Sequence, residues 1–184
     1  MEKIRVVLFG VGAIGSNIAR FLLEKKGVEI VGSIDIAKDK VGKDLGEVLG
    51  ISRQLGVVIS NDPKTILCKA CADIVVHTTS SHFKDVYSQI APLAEYGVNV
   101  ISTCEELVYP FVSEPELAKK LDALGMKYGV TFLGTGINPG FLMDTLVIAL
   151  TGVCQRVDRI EVERIMNAAT RRVPFQKDRS RSLS

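Results

Sequence analysis

Little in this sequence is extreme, and each thing it lacks removes a class of protein. A net excess of either charge is almost absent: 23 Lys and Arg stand against 21 Asp and Glu over 184 residues. The basic excess sits at the end, where residues 171–184 hold Arg171, Arg172, Lys177, Arg179 and Arg181 against Asp178. The body is therefore slightly acidic and carries no footprint for nucleic acid. Four cysteines are too few for a disulfide scaffold, and without a signal peptide they point to a reducing cytoplasm. No apolar run is long enough to cross a bilayer; the longest centres on Leu146 to Leu150. No internal repeat and no domain linker interrupt the chain. What remains, 47% apolar and 24% charged, is neither disordered nor collagen-like and can bury a sizeable core. The expectation is a soluble cytoplasmic protein with no membrane partner.

The pattern that is present alternates short β-branched runs with helical stretches, as in βαβ units. Strands are predicted over Ile4 to Phe9, Val28 to Ile34, Gly56 to Ser60, Ile74 to His77, Val98 to Ser102 and Val130 to Leu133. A helix with Ile14, Ile18, Phe21 and Leu22 at helical spacing follows the first strand. Others are predicted near Leu45 to Leu49, after the Asp62-Pro63 start signal, and from Phe83 to Tyr96. Ser113-Glu-Pro-Glu116 reads as a capping box opening a further helix to Tyr128. Six strands with intervening helices fit an α/β, Rossmann-type doubly wound parallel sheet in the order 3-2-1-4-5-6. Beyond it stand an apolar helix from Phe141 to Leu150 and a candidate strand from Val157 to Met166. The predicted organisation is a dinucleotide-binding domain over 1–137, a crossover helix and first strand over 138–176, and a solvated tail over 177–184.

Gly10-Val-Gly12-Ala13-Ile14-Gly15 follows the first strand and opens the first helix. The first glycine permits a tight turn, the second lets backbone N–H groups approach a pyrophosphate, and the third lets helix and strand pack closely. The helix N-terminus adds donors and partial positive charge for the phosphates. Asp35 falls at the end of the second strand, twenty residues after Gly15, where a carboxylate accepts ribose hydroxyls. It favours NAD and repels the 2′-phosphate of NADP. Lys38, Lys40 and Lys43 follow closely; they either solvate a loop, the favoured reading, or draw a phosphate in, so NADP use stays open.

The remaining polar residues carry two readings each. His77-Thr-Thr-Ser-Ser-His82 lies past the fourth strand, where ligands bind in this fold, while Ser80 or Ser81 can cap the next helix. His82 reads as a helix-start residue before it reads as a base. Glu105 and Glu106 follow the fifth strand and either hold an ammonium group, act as a base, or solvate a loop. Asp144 is a first-turn acid or a polar group aimed into a cleft. Cys68 and Cys71, three apart on a helix, are expected to share a buried face. Cys104, in a strand-end loop, is expected within reach of solvent or substrate, and Cys154 is expected to pack. No cluster has metal-ligand spacing.

Two segments are narrower than the glycine motif: Gly136-Ile-Asn-Pro-Gly-Phe-Leu-Met-Asp-Thr145, and Arg164-Ile-Met-Asn-Ala-Ala-Thr-Arg-Arg172 with the adjoining Val173-Pro-Phe-Gln176. On these the chain resembles the 2,4-diaminopentanoate dehydrogenases, relatives of dihydrodipicolinate reductase, over residues 1 to about 177. The resemblance implies NAD(P)-dependent oxidative deamination of 2,4-diaminopentanoate to 2-amino-4-oxopentanoate and ammonia, a step of ornithine degradation. It implies that Gly10 to Gly15 and Asp35 bind the adenosine diphosphate half. Thr78, Thr79, Ser102, Thr103, Cys104 and the segment from Gly134 through Thr135 and Gly136 to Asn138 would surround the nicotinamide ribose. Glu105, Glu106, Asn138 and Gly140 are candidates for contact with a small amino acid substrate. The reductase's His-rich catalytic motif has no counterpart, so the catalytic residue is unknown. The resemblance implies a continuation into an α+β substrate domain, of which this chain is expected to hold only the start, and a homo-oligomer. A dihydrodipicolinate-type reductase of lysine synthesis and a binding module without turnover are the alternatives.

Overall fold

The computed structural model describes residues 2–163 and 165. The chain divides into two compact units, Met1–Val147 and Ile148–Ser184. In the first, the elements run β1 (Ile4–Phe9), α1 (Ala13–Leu23), β2 (Val28–Ile34), α2 (Leu45–Val48), β3 (Ile59–Ser60), α3 (Pro63–Ala70), β4 (Ile74–His77) and α4 (Phe83–Ile90). A 3₁₀ turn over Ala91–Tyr96 leads to β5 (Asn99–Ser102), and a second over Glu105–Val108 leads to α5 (Pro110–Ser113). Then come α6 (Pro115–Tyr128), β6 (Phe132–Gly134), a π-helix over Ile137–Thr145 and α7 (Leu146–Thr151), which crosses into the second unit. The six strands form one parallel sheet in the order β3-β2-β1-β4-β5-β6. The predicted topology is the observed one.

Alternation along β1 explains why both faces are covered. Val7 and Phe9 point into a core shared with Leu67 of α3, Phe83, Val86 and Ile90 of α4, and Ala118 and Leu121 of α6. Val6 and Leu8 point the other way, onto Ala19 of α1 and Leu45 of α2. Successive side chains on a strand leave by opposite faces, so a sheet with helices on both sides must be apolar throughout. Burying a side chain such as Phe83 completely contributes roughly 1.5–3 kcal/mol. Ser33 is the buried polar residue of β2: its hydroxyl is fully buried and has no hydrogen-bond partner among the described residues.

The departures from the predicted elements have local causes. α3 starts as expected, with the Asp62 carboxylate accepting from the Lys64 N–H. The capping box does not form. Ser113 closes α5, and Glu114 takes the N-cap of α6 without a side-chain bond, because Pro115 starts that helix at its first position. The helix expected from Phe83 to Tyr96 tightens to 3₁₀ geometry at Ala91-Pro92, where proline offers no N–H to the preceding turn. The helix expected from Phe141 starts earlier, as the π-helix, and its Asp144 carboxylate accepts the Gly140 N–H at 2.7 Å.

Three cysteine expectations are reversed. Cys104 is fully buried, its Sγ donating to the Ser81 carbonyl at 3.2 Å, and burial pushes its thiol pKa up. Cys68, Cys71 and Cys154 are free and exposed. Cys71 ends α3 in the left-handed region at φ 44°, so it turns off the helix instead of continuing the apolar face. Residues 157–163, at the place of the expected last strand, are exposed and form no strand; an isolated strand has no ladder to satisfy its N–H and C=O groups. Met166, the Arg164 to Arg172 segment and the 177–184 tail lie outside the described residues, apart from Ile165.

Candidate functional site

The strands are parallel, so their carboxyl ends share one edge, and the turn after each is tied to its neighbour. Gly10 N–H donates to Ile34 O at 2.8 Å, Thr78 N–H to Phe9 O at 2.8 Å, Thr103 N–H to His77 O at 3.0 Å and Thr135 N–H to Ser102 O at 2.7 Å. The residues singled out after β1, β2, β4, β5 and β6 are thereby held along one rim. A cavity of about 410 Å³ opens there, lined among others by Gly10, Gly12, Asp35, Lys40, Thr78 and Thr79. A larger groove of about 530 Å³ runs along α6 and β6, including Leu107, Phe111, Met126 and Phe132. The glycine motif and Asp35 lie outside it, so it is not where phosphate chemistry would occur.

The three glycines do three different things. Gly10 adopts φ +99°, and a Cβ there would meet the Thr78 carbonyl at 2.9 Å. A Cβ on Gly15 would stand 2.0 Å from the Gly10 carbonyl, so only glycine lets α1 start this close to the turn. Around Gly12 nothing lies within 4 Å of a built Cβ. Its glycine is needed by no protein neighbour, and the space in front of it is open. No side chain caps α1 at Gly12, which leaves the first-turn N–H groups, those of Ala13 and Ile14 included, without the side-chain acceptor that usually serves them. An open cradle, uncapped donors and an acid lining the same cavity suit a dinucleotide's pyrophosphate and ribose.

Asp35 is nearly buried and already engaged. Its Oδ2 accepts the Val11 N–H at 2.7 Å and the Lys40 ammonium at 3.2 Å, and its Oδ1 accepts the Ala37 N–H at 2.9 Å. Burial pushes its pKa up, but the Ala37 and Val11 donors and Lys40 outweigh that and hold it below the ordinary carboxylate value. Lys40 also donates to the Val11 carbonyl at 2.9 Å. Sequence spacing gave no way to separate Lys40 from Lys38 and Lys43, because a turn decides which of the three folds back.

Beneath the rim lies a buried polar knot that sequence reading missed. His77 is fully buried against the edge of Phe9. Its Nδ1 is 3.0 Å from the Ser102 hydroxyl, and its Nε2 is 2.9 Å from both Gln89 Oε1 and the Thr79 hydroxyl. An amide oxygen only accepts, so Nε2 carries the proton and Ser102 donates to Nδ1; Ser102 in turn accepts the Cys104 N–H at 3.1 Å. Burial lowers the His77 pKa, partly opposed by the Gln89 bond. A histidine ending a strand of β-branched residues was the available signal. Thr79 donates to Gln89 at 2.7 Å, and both line the cavity.

The two glutamates after β5 separate. Glu106 accepts the Phe83 N–H at 2.7 Å and pairs with His82 Nδ1 at 2.9 Å, which together lower its pKa, His82 first. It is the capping acid of α4, a role expected of Ser80 or Ser81; Ser80 instead accepts the His82 N–H. Glu105 is half-buried on the first turn of its 3₁₀ segment, and its carboxylate has no ion pair among the described residues. Ser102, Thr103, Thr135 and Gly136 stand on the same rim but outside the cavity lining, as does Gly134, where a Cβ would collide with the Leu107 carbonyl at 2.3 Å. Gly140 is buried at φ +120°. The side chain of Asn138 lies outside the described residues. Among the described residues no group of three His, Cys, Asp or Glu could hold a metal ion, and no helix is long and apolar enough to cross a membrane.

Comparison with known proteins agrees with this geometry. The chain is 40% identical over 166 residues to a 2,4-diaminopentanoate dehydrogenase of Acetoanaerobium sticklandii, covering 90% of this chain and 47% of that one. It is 27% identical to a 4-hydroxy-tetrahydrodipicolinate reductase of Prochlorococcus marinus, over 80% of this chain and 52% of the other. Among solved structures, an amine dehydrogenase from Mycobacterium smegmatis superposes with a TM-score of 0.79 at 42% identity, covering 84% of this chain and 45% of that one. The chain thus spans about half the length of the curated relatives it matches. Residues 4–104, which hold the glycine turn, Asp35, His77 and Ser102, match the family described as dihydrodipicolinate reductase, N-terminus, and the chain belongs to that family.

Proposed function

We propose that this chain supplies the cofactor-binding part of an NAD(P)-dependent amine dehydrogenase acting on 2,4-diaminopentanoate. The observation that carries the reading is the open cradle at Gly12 in one cavity with Asp35, in a chain 40% identical to an enzyme of that name. The reaction takes the amine, water and the oxidised dinucleotide to 2-amino-4-oxopentanoate, ammonia and the reduced dinucleotide, with release of a proton. The cofactor, when bound, supplies the hydride acceptor. The chain's own residues bind and orient: Gly10 to Gly15 and Asp35 hold the adenosine half, while Thr78, Thr79, Ser102, Thr103 and Gly134 to Gly136 flank the nicotinamide ribose. Glu105 is the carboxylate left to meet the substrate ammonium, because Glu106 is consumed by α4. Asn138 and Gly140 are placed by the same reading near the substrate. We extend it to a cytoplasmic homo-oligomer with domain limits at 137 and 176.

A reductase of the dihydrodipicolinate type is the second reading, favoured by the match over residues 4–104. Calorimetric titration of the chain with NAD and NADP tests the cofactor site, and NADH formation from 2,4-diaminopentanoate by a chain of the relatives' full length tests the reaction. Dinucleotide binding with amine-dependent NADH formation is expected. Binding of neither cofactor, or oxidation of NADH by a dihydrodipicolinate precursor in place of amine turnover, would overturn the reading.

A further inference from the structure

We infer that Lys40, alone among the three lysines after β2, sets the preference between NAD and NADP by acting as a removable cover on Asp35. The inference rests on the cavity being a dinucleotide site. An ionised carboxylate offers about four acceptor positions. Three on Asp35 are filled, by the Val11 and Ala37 N–H groups and by Lys40. The two backbone donors belong to the turns that shape the site and cannot leave without unmaking them. Lys40 can leave, because its contacts are made by the tip of a flexible side chain. With Lys40 in place, Asp35 has one position for a ribose diol; with Lys40 withdrawn, it has two.

The same ammonium meets the chemistry that distinguishes the two cofactors. A 2′-phosphate placed beside Asp35 is repelled by the carboxylate, and a cation already within 3.2 Å of that carboxylate offsets the repulsion by bridging both anions. Lys40 is brought there by a closed turn: its N–H donates to Ala37 O at 2.9 Å, and Gly42 N–H ties the turn's far end to Ile59 O at 2.8 Å. Lys43 is exposed and pairs with Glu47 at 3.4 Å, and Lys38 is exposed and has no ion pair among the described residues. Among the described residues the ion pair to Asp35 is made by Lys40. Lys40 thus holds the second cofactor's affinity up and partly blocks the first.

The test is affinity, not turnover. The 184-residue chain, K40A and K40Q are titrated with NAD, NADP and adenosine 2′,5′-bisphosphate, with K38A and K43A beside them. K40Q keeps an amide to donate to the Val11 carbonyl without the charge, so it separates lost charge from a loosened turn. Both Lys40 variants should weaken NADP and the bisphosphate at least tenfold while NAD stays within threefold or tightens; K38A and K43A should change every ligand less than twofold. Equal weakening of NAD and NADP in K40Q, or a tenfold loss carried by K38A or K43A, would overturn the assignment to Lys40 and leave the cofactor site standing. Binding of neither dinucleotide by the unaltered chain would overturn the site and the inference together.

Discussion

The rim has two halves, and they are built differently. At β1 and β2 the site is made of backbone: one glycine turn, uncapped helix donors and a single acid. At β4 and β5 it is made of side chains knotted across the sheet, with His77 between Ser102, Thr79 and Gln89. Backbone sterics act within a few residues, so the first half leaves a spacing motif. The knot joins residues 25 and 12 apart in sequence and leaves none. The first half should therefore fail through shape, the second through protonation.

Substitutions can break that contrast. The largest effect is expected for Gly15→Val, whose Cβ would stand 2.0 Å from the Gly10 carbonyl. Overpacking of this kind costs roughly 1–3 kcal/mol, occasionally more, and urea unfolding should register it. Gly12→Val is its counterpart, with nothing within 4 Å of the new Cβ; it should abolish dinucleotide binding in calorimetry while leaving the urea midpoint unchanged. An unaltered midpoint for Gly15→Val, or a shifted one for Gly12→Val, would mean the two glycines had been assigned the wrong tasks.

Next in size is Asp35→Ala, which removes a charged hydrogen-bonding partner worth roughly 1.5–3 kcal/mol to NAD and little to NADP. Equal losses for both cofactors in titration would sink the ribose assignment. The second half is sharpened by pH. His77 is buried with its pKa below the ordinary 6.5, so below pH 6.5 the unfolded chain binds the proton that the folded chain refuses. Stability is full above that pH and falls as pH drops from 6.5 toward the folded value, by up to about 1.4 kcal/mol per pH unit. His77→Asn should flatten the pH 5–6.5 slope of the urea midpoint; an unchanged slope would place the titration elsewhere. The smallest change is Ser33→Ala, which removes an orphaned buried hydroxyl and should raise stability by up to about 1 kcal/mol. A loss of stability there would show that the hydroxyl has a partner.

β1, β2 and β4 were legible in the sequence to the residue, as were the strand order, the glycine turn, the place of Asp35 just after β2 and the Asp62 start of α3. These follow from hydrophobic periodicity and from sterics within a turn, which the chain carries wherever it goes. The tertiary structure alone decided which of two adjacent glutamates is spent on α4, which of three lysines covers Asp35, and that Cys104 is buried while Cys68 and Cys71 are not. Each of those outcomes depends on what another strand or helix brings alongside. Glu106 is claimed by Phe83, 23 residues away in sequence. Lys40 is returned to Asp35 by a turn pinned to β3. A pattern of residue types records what a segment can do, but only packing selects which of its polar groups meets a partner.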